Sequence, residues 1–258
     1  MLIVERQKKL LDLLREHGAA ELDDLAQALS VSSSTIRRDL ESLERQGLVK
    51  RTHGGAIYRQ FSESGQGAEA VAARMHERVA QKQAIARYVA RLVQPHMTVL
   101  LDGGSTVVHA AQAIEARPIQ VVTNSLSVAN LFADDEQVEL LVIGGNLYGR
   151  TGVLVGPIAT GCLADLHADL LLFSLAGLYD EAAFNINLTM AQVEQVMIQQ
   201  AARAMMLMDS SKFGRKSLVR VCGLDEVDSI VTDTGVRGDW RKDLGERLVV
   251  VDESGRPA

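Results

Sequence analysis

Apolar residues recur along the first sixty positions at the spacing of short helices. Leu10, Leu11 and Leu14 follow Glu5 at helical intervals, and Gly18 after His17 supplies a C-terminal stop. A second short helix is expected around Leu25 and Leu29, with Asp23 as its N-cap. The hydroxyl-rich turn Ser30-Val31-Ser32-Ser33-Ser34 leads into a third helix that runs to Gly47, with Ile36, Leu40 and Leu43 on one apolar stripe. At about 100° per residue, Ser34, Arg38, Glu41 and Arg45 lie on the opposite side, with Arg37 on the flank. Leu48 to Thr52 then reads as a strand, His53-Gly54-Gly55 as a hairpin turn and Ala56-Ile57-Tyr58 as the return strand, together a wing.

After Tyr58 the pattern changes. Arg59 to Gly67 is polar and glycine-bearing, as a linker is, and a helix is expected from Glu69 to about Val93, closed by Pro95. From Met97 onward, apolar strands are expected at Thr98–Leu101, Ile119–Val122, Val138–Ile143, Leu170–Leu175, Ala204–Met208, Ser229–Val231 and Leu248–Val251. Helices are expected between several of them, at Val107–Ile114, Leu126–Phe132 and Val193–Arg203. Short continuous apolar strands alternating with helices indicate a parallel sheet covered on both faces. The expected fold is therefore α/β: a small N-terminal winged helix-turn-helix domain (1–58), a linker and the start of a connecting helix (59–74), and a larger C-terminal Rossmann-like parallel α/β domain (75–258). A chain of 258 residues accommodates two domains of ordinary size.

Charge sharpens this division. The chain carries a net −6, yet residues 32–60 hold six basic residues against three acidic ones, while residues after 60 sum to −7. One basic patch on an acidic chain suits a surface that meets phosphate while the rest avoids it. The two cysteines, Cys162 and Cys222, form no C-x-x-C pair and read as reduced, buried side chains of a cytoplasmic protein. The histidines show no ligand spacing, so neither a metal nor another cofactor is expected. The longest apolar stretch, Leu170–Leu178, is less than half of the roughly 20 residues a membrane span needs, and no membrane partner is expected. Trp240 is expected to pack a C-terminal helix, and Asp252–Ala258 to fray.

Two regions bear chemistry. A helix tip offers free N–H groups and a positive dipole end to phosphate oxygens, and Ser32, Ser33, Ser34 and Thr35 add short donors to it. Arg37 and Arg38 can make two-pronged contacts to a guanine edge or clamp phosphates, and Arg45, Lys50, Arg51, His53 and Gly54 extend the surface along helix and wing. The same pattern also suits a helical subdomain that binds protein. Downstream, polar groups gather at expected strand ends: Asp102-Gly103-Gly104-Ser105-Thr106, Thr123-Asn124, Gly144-Gly145, Asp180 and Asp209 with Lys212. Open α/β sheets bind ligands beyond the carboxyl ends of their strands, here a small anionic molecule rich in hydroxyls. The Gly103-Gly104 loop is neither a Walker loop, having no Lys, nor a dinucleotide fingerprint, having no third Gly. A tight turn serving geometry alone is the competing reading of it.

The run Val31-Ser32, Thr35-Ile36-Arg37-Arg38-Asp39-Leu40, Leu43-Glu44, Gly47 and Arg51-Thr52-His53-Gly54-Gly55-Ala56 resembles the signature of DeoR-family bacterial transcription regulators. The resemblance implies a recognition helix starting near Ser33 and a helix-turn-helix from about Ala20 to Asp39. Over roughly residues 75–233, Lys82, Asp102-x-Gly104-Ser105-Thr106, Thr123-Asn124, Gly144-Gly145, Asp209-x-x-Lys212-Phe213 and Thr232-Asp233 resemble that family's sensor domain, itself similar to ribose-5-phosphate isomerase. This implies a phosphorylated sugar effector with its phosphate near Gly104–Thr106, and double-stranded operator DNA as the other partner. Ser105 stands where a second Thr is usual, and Ala182–Asn187 where a glycine-bearing turn is usual. The expected function is a non-enzymatic transcriptional repressor of sugar metabolism genes, acting as a homo-oligomer (dimer or tetramer) on paired half-sites. Two other readings are a DNA-binding protein whose α/β domain only oligomerises, and a phosphosugar isomerase using the Asp180-Glu181 carboxylates.

Overall fold

The computed structural model describes residues 3–17, 19–29, 31–45, 49–52, 54–58 and 74–258. The chain divides into two compact units, Met1–Glu69 and Ala70–Ala258.

In the first unit, helices α1 (Ile3–His17), α2 (Leu22–Ala28) and α3 (Ser33–Arg45) surround a core of Leu10, Leu14, Leu25, Ala26, Ile36, Leu40 and Leu43. The expected stripe on α3 is fully turned inward. Strands β2 (Val49–Arg51) and β3 (Gly55–Tyr58) form the wing, and β1 (Ala19–Glu21), which the sequence pattern did not announce, pairs with β3 on its other side. Ala19-Ala20-Glu21 has no strand signature of its own. Its extended backbone is set by β3, and it comes so close that a Cβ on Gly55 would lie 2.1 Å from the Ala20 carbonyl oxygen. Asp23 is not the N-cap of α2. Glu21 holds that position without a side-chain bond, and Asp23 instead receives the Ser33 hydroxyl at 2.9 Å. The expected stops at Gly18 and Gly47, and the turn residues Ser30 and His53, lie outside the described residues.

In the second unit, α4 (Val79–Ala90) precedes β4 (Thr98–Leu101), α5 (Ser105–Ala113), β5 (Ile119–Thr123), α6 (Leu126–Phe132) and β6 (Val138–Val142). The hairpin β7 (Asn146–Tyr148) and β8 (Val153–Val155) leads to α7 (Pro157–Ala164), β9 (Leu170–Phe173), β10 (Gly177–Tyr179), β11 (Ala182–Asn185) and α8 (Leu188–Gln199). The chain finishes through β12 (Ala204–Leu207), β13 (Val219–Gly223), β14 (Ser229–Asp233), α9 (Gly238–Leu244) and β15 (Leu248–Val251). Seven strands form one parallel sheet in the order β15-β14-β12-β9-β4-β5-β6. Alternate strand residues feed two cores, Leu100, Leu171, Phe173 and Met206 on one face, Val99, Leu101, Leu172 and Leu207 on the other. The chain runs outward from β4 to β6, returns to lay β9 on the other side of β4, and runs outward again. The order therefore reverses between β4 and β9, where open α/β sheets form their crevice.

The second unit departs from the sequence pattern in four further places. The expected continuous connecting helix is interrupted at Glu77–Arg78, where Arg78 adopts φ +51°, and α4 starts only at Val79. The segment after β9 is a second, antiparallel sheet, β10-β11-β13, so Asp180 occupies a hairpin turn with φ +55° instead of a parallel strand end. Cys162 is exposed while Cys222 is buried, and both are free thiols. Asp252–Ala258 is pinned: Asp252 accepts from the Ser254 and Arg256 amides, Pro257 bridges to Val251, and Arg87 and Arg91 donate to the Glu253 and Ser254 carbonyls. Trp240, in α9, packs edge-to-face on Phe213. No described helix is long and apolar enough to cross a membrane.

Candidate functional site

Helix α3 starts on Ser32, whose carbonyl accepts the Thr35 and Ile36 amides at 2.9 and 3.1 Å. The Ser32 hydroxyl lies 2.9 Å from Ser34 Oγ and 2.8 Å from Thr35 Oγ1, forming a hydroxyl cluster over the helix tip. Ser33 bonds back to Asp23 and so fixes the tip against α2. Ser34, Arg37 and Arg38 are exposed. Asp39, the acid that follows them, is buried and engaged by Arg6 (Nε to Oδ2, 2.5 Å). The fold thus exposes the cations of the helix and withdraws the neighbouring anion, which favours contact with a polyanion. Arg51 is partly committed: its guanidinium lies 2.6 Å from Glu41 and 3.6 Å from Glu44, bracing the wing against α3. Gly54 is exposed and its carbonyl accepts the Leu22 amide at 2.8 Å. Arg45 falls in the last turn of α3 and Lys50 in β2, while His53 lies outside the described residues.

In the second unit a cavity of ≈ 180 Å³ opens at the β4/β9 reversal. It is lined by the loop Asp102–Ser105 and by Thr106 in the N-terminal turn of α5, the positive end of the helix dipole. Both glycines are dictated by packing. A Cβ on Gly103 would sit 2.0 Å from Val153 Cγ1, and one on Gly104 2.7 Å from Ser174 Cβ. Asp209, Ser211 and Lys212 enter after β12, Ser174 to Ala176 after β9, and Thr151, Asn185 and Met190 from the hairpin loop and the α8 side. Five cations (Arg74, Arg78, Lys82, Lys212, Arg215) line the cavity against three carboxylates (Glu77, Asp102, Asp209). This cationic lining stands out in an acidic unit. Burial lowers the pKa of Lys82 and of Lys212. Lys82 is 3% exposed, and its ammonium donates to the Arg74 carbonyl.

Two carboxyls beneath the cavity are set apart by burial. Desolvation pushes Asp102 up to about 6, against the pull of the Gly103, Ser174 and Gly104 amides. Glu194 is raised well above its ordinary value, first by burial and then by the Asp102 charge, although Asn185 donates to it at 2.5 Å. Asp102 is thus readily protonated and can either accept from or donate to a ligand hydroxyl near neutral pH.

Of the residues singled out at strand ends, Asp102, Gly103, Gly104, Ser105, Thr106, Asp209 and Lys212 come together in this cavity. Thr123, Asn124, Gly144 and Gly145 do not line it. The Thr123 hydroxyl donates to the Leu101 carbonyl and receives the Ser125 amide, tying neighbouring strand ends together. Asn124 donates to the Leu154 carbonyl, and Gly145 lies against Val155 of the β7–β8 hairpin. That hairpin covers the β5 and β6 ends, which explains why their polar groups serve the fold there. Asp180 and Glu181 line a separate, wider hollow of ≈ 790 Å³ with Lys216, Arg220 and Trp240. Sequence reasoning missed Arg74, Arg78, Ser174, Asn185 and Arg215 as lining residues. Arg74 and Arg78 fell within an expected helix, and nothing in their spacing marks the break that turns them inward. Among the described residues no group of three or more His, Cys, Asp or Glu could hold a metal ion.

Comparison with known proteins gives two family matches: the DeoR-like helix-turn-helix domain over residues 6–60 and the DeoR C terminal sensor domain over residues 77–234. The L-fucose operon activator of Escherichia coli (strain K12) is 34% identical over 231 residues, covering 88% of this chain and 94% of that one. A putative aga operon transcriptional repressor of Escherichia coli O157:H7 is 31% identical over 254 residues, covering 96% and 94%. Among solved structures, ribose 5-phosphate isomerase A from Methanocaldococcus jannaschii overlays with a TM-score of 0.37 and 18% identity, covering 51% of this chain and 53% of that one.

Proposed function

Because this chain belongs to the DeoR family of transcriptional regulators, with a DNA-binding helix-turn-helix domain and a sensor domain, we propose that it represses sugar metabolism genes and that a phosphorylated sugar in the cavity between β4 and β9 controls it. The observation that carries this reading is the enclosed, cationic, hydroxyl-lined cavity at the sheet reversal. The helix α5 N-terminus with Ser105 and Thr106 takes the phosphate, Lys212 and Lys82 supply charge to it, and Asp102 and Asp209 bond sugar hydroxyls. Relatives with operon names of both signs, an activator and a repressor, share this architecture.

On the DNA side, α3 enters the major groove with Arg37 and Arg38 toward base edges and phosphates, and the Ser32–Thr35 tip takes a backbone phosphate. Lys50 and Gly54 on the wing, Arg45 at the end of α3, and His53 meet the flanking backbone. One such module contacts few base pairs, so a homo-oligomer on paired half-sites is part of the proposal, and operator binding places the protein in the cytoplasm.

A panel of pentose and hexose phosphates tests this by thermal shift, without and with the chain's own upstream promoter DNA. A ligand at a hundred times its Kd stabilises the sensor by about 2.7 kcal/mol. Stabilisation by at least one phosphosugar, coupled to a change in promoter affinity, is expected. Stabilisation by none removes the effector and leaves the α/β unit an oligomerisation module.

A further inference from the structure

The cavity has one wall of unusual origin. Arg74, Glu77, Arg78 and Lys82 come from the stretch with which the described part of the second unit begins, and the chain before Arg74 leads back to the wing. This stretch is not a plain helix. Arg74–His76 make one helical turn, and Arg78 then adopts φ +51°, ψ 42°, a left-handed conformation that a non-glycine residue holds only under constraint.

Three of its polar contacts are made with cavity groups or neighbours of them, while Met75 packs on the hydrophobic core. Lys82 Nζ donates to the Arg74 carbonyl. His109, four residues along α5 from Ser105, lies with Nε2 3.3 Å from the Met75 carbonyl. Arg78 Nε stands 3.5 Å from Asp209 Oδ1, with its side chain 48% exposed. That ion pair is long and half solvated, and pairs of this kind contribute little. Asp209 does not depend on it, since the same oxygen accepts the Ser211 amide at 3.1 Å and the Ser211 hydroxyl at 2.5 Å.

We propose that Arg74–Arg78 is the strap through which this regulator reads cavity occupancy: Arg74 and Arg78 grip the anionic end of the bound molecule, and the strap's altered position is passed along the chain to the winged unit. The inference rests on the phosphate-ester reading above and assigns its coupling element. A phosphoryl group offers three charged oxygens to two guanidinium forks, which suits Arg better than the single carboxylate Arg78 now faces. The same anion draws the Lys82 ammonium, whose present acceptor is the Arg74 carbonyl. Filling the cavity therefore alters two of these contacts at once. A ligand shifts a conformational equilibrium only by contacts that differ between the two states, and these contacts differ.

The test uses the full chain and the phosphosugars that stabilise the wild type, with inorganic phosphate as reference. Promoter affinity is titrated by fluorescence anisotropy at rising probe concentration, while thermal shift reports probe binding separately. Wild type is expected to change promoter Kd by about tenfold at saturation. R74Q/R78Q is expected to bind probe more weakly and to change promoter Kd by less than about twofold even at saturation. K212Q, which removes a cavity cation outside the strap, is expected to need more probe yet reach the wild-type amplitude. Should R74Q/R78Q melt before it can be titrated, R78G takes its place, because glycine adopts the left-handed turn freely; a reduced amplitude is expected there too. Full amplitude in R74Q/R78Q, or in R78G where it stands in, overturns the strap while leaving the effector standing. A wild type stabilised by no probe overturns the effector reading, and the strap with it, at the thermal-shift step.

Discussion

Arg38 and Asp102 are the single side chains through which the two halves of the proposed function are most directly tested. Arg38 is exposed on α3 while the adjacent Asp39 is buried on Arg6 and Glu41, on the same face, is engaged by Arg51. Arg38→Ala is expected to cost about 1–3 kcal/mol of operator binding and to relax specificity at one base pair. Binding to a set of single-base operator variants measures this, and a uniform loss across the set would move Arg38 to a phosphate. Asp102 makes a prediction about pH. Its carboxyl titrates near 3.8 unfolded and about 6 folded, because burial disfavours the anion. A raised carboxylate pKa means that the folded state holds its proton longer, so stability from this group is full below 3.8 and is lost as pH climbs to 6. The loss is on the order of 3 kcal/mol. Urea unfolding at pH 4 and 7 should show the wild type losing more stability across that window than Asp102→Asn; parallel curves would refute it. The residues at the floor of the cavity were legible because polar groups gathered after apolar strands. The straps and walls were not, since Arg74 and Arg78 acquire their role only from a backbone break that no periodicity encodes.

At the level of elements, the parallel strands were readable because they are short and mostly apolar, and the central ones, Leu170–Phe173 and Ala204–Leu207, are continuous apolar runs buried on both faces. The strands of the second sheet were not. Gly177–Tyr179 and Ala182–Asn185 are three and four residues long, and the pairing of Ala182–Asn185 with Val219–Gly223 joins segments far apart in sequence. Strand Ala19–Glu21 was hidden for a related reason, since its conformation is imposed by β3. That dependence can be tested at Gly55, where an added methyl would meet the Ala20 backbone, which has no flexible end to yield. Gly55→Ala is expected to destabilise the winged unit by more than about 3 kcal/mol and to abolish operator binding. The sensor transition should stay in place in the same denaturation experiment, because the change lies in the other compact unit.

For the molecule as a whole, regulation is a coupling free energy and must be reciprocal. Whatever factor the proposed phosphosugar imposes on operator affinity, operator DNA must impose on phosphosugar affinity. Titrating the sugar with and without saturating operator should return the same ratio as the converse titration, within error. Unequal ratios would show a third state, such as a change of oligomer, entering the cycle. Charge is divided to match, with exposed arginines on α3 and a cationic interior in a unit whose sequence is otherwise acidic. The sheet, finally, ends at Val138–Val142, where no described strand follows and Leu141 and Val142 stand 46% and 38% exposed. A bare ribbon of amides and carbonyls flanked by greasy side chains invites stray chains to zip on, so concentrated stocks should cloud with time, and a lysine introduced at Leu141 should keep them clear.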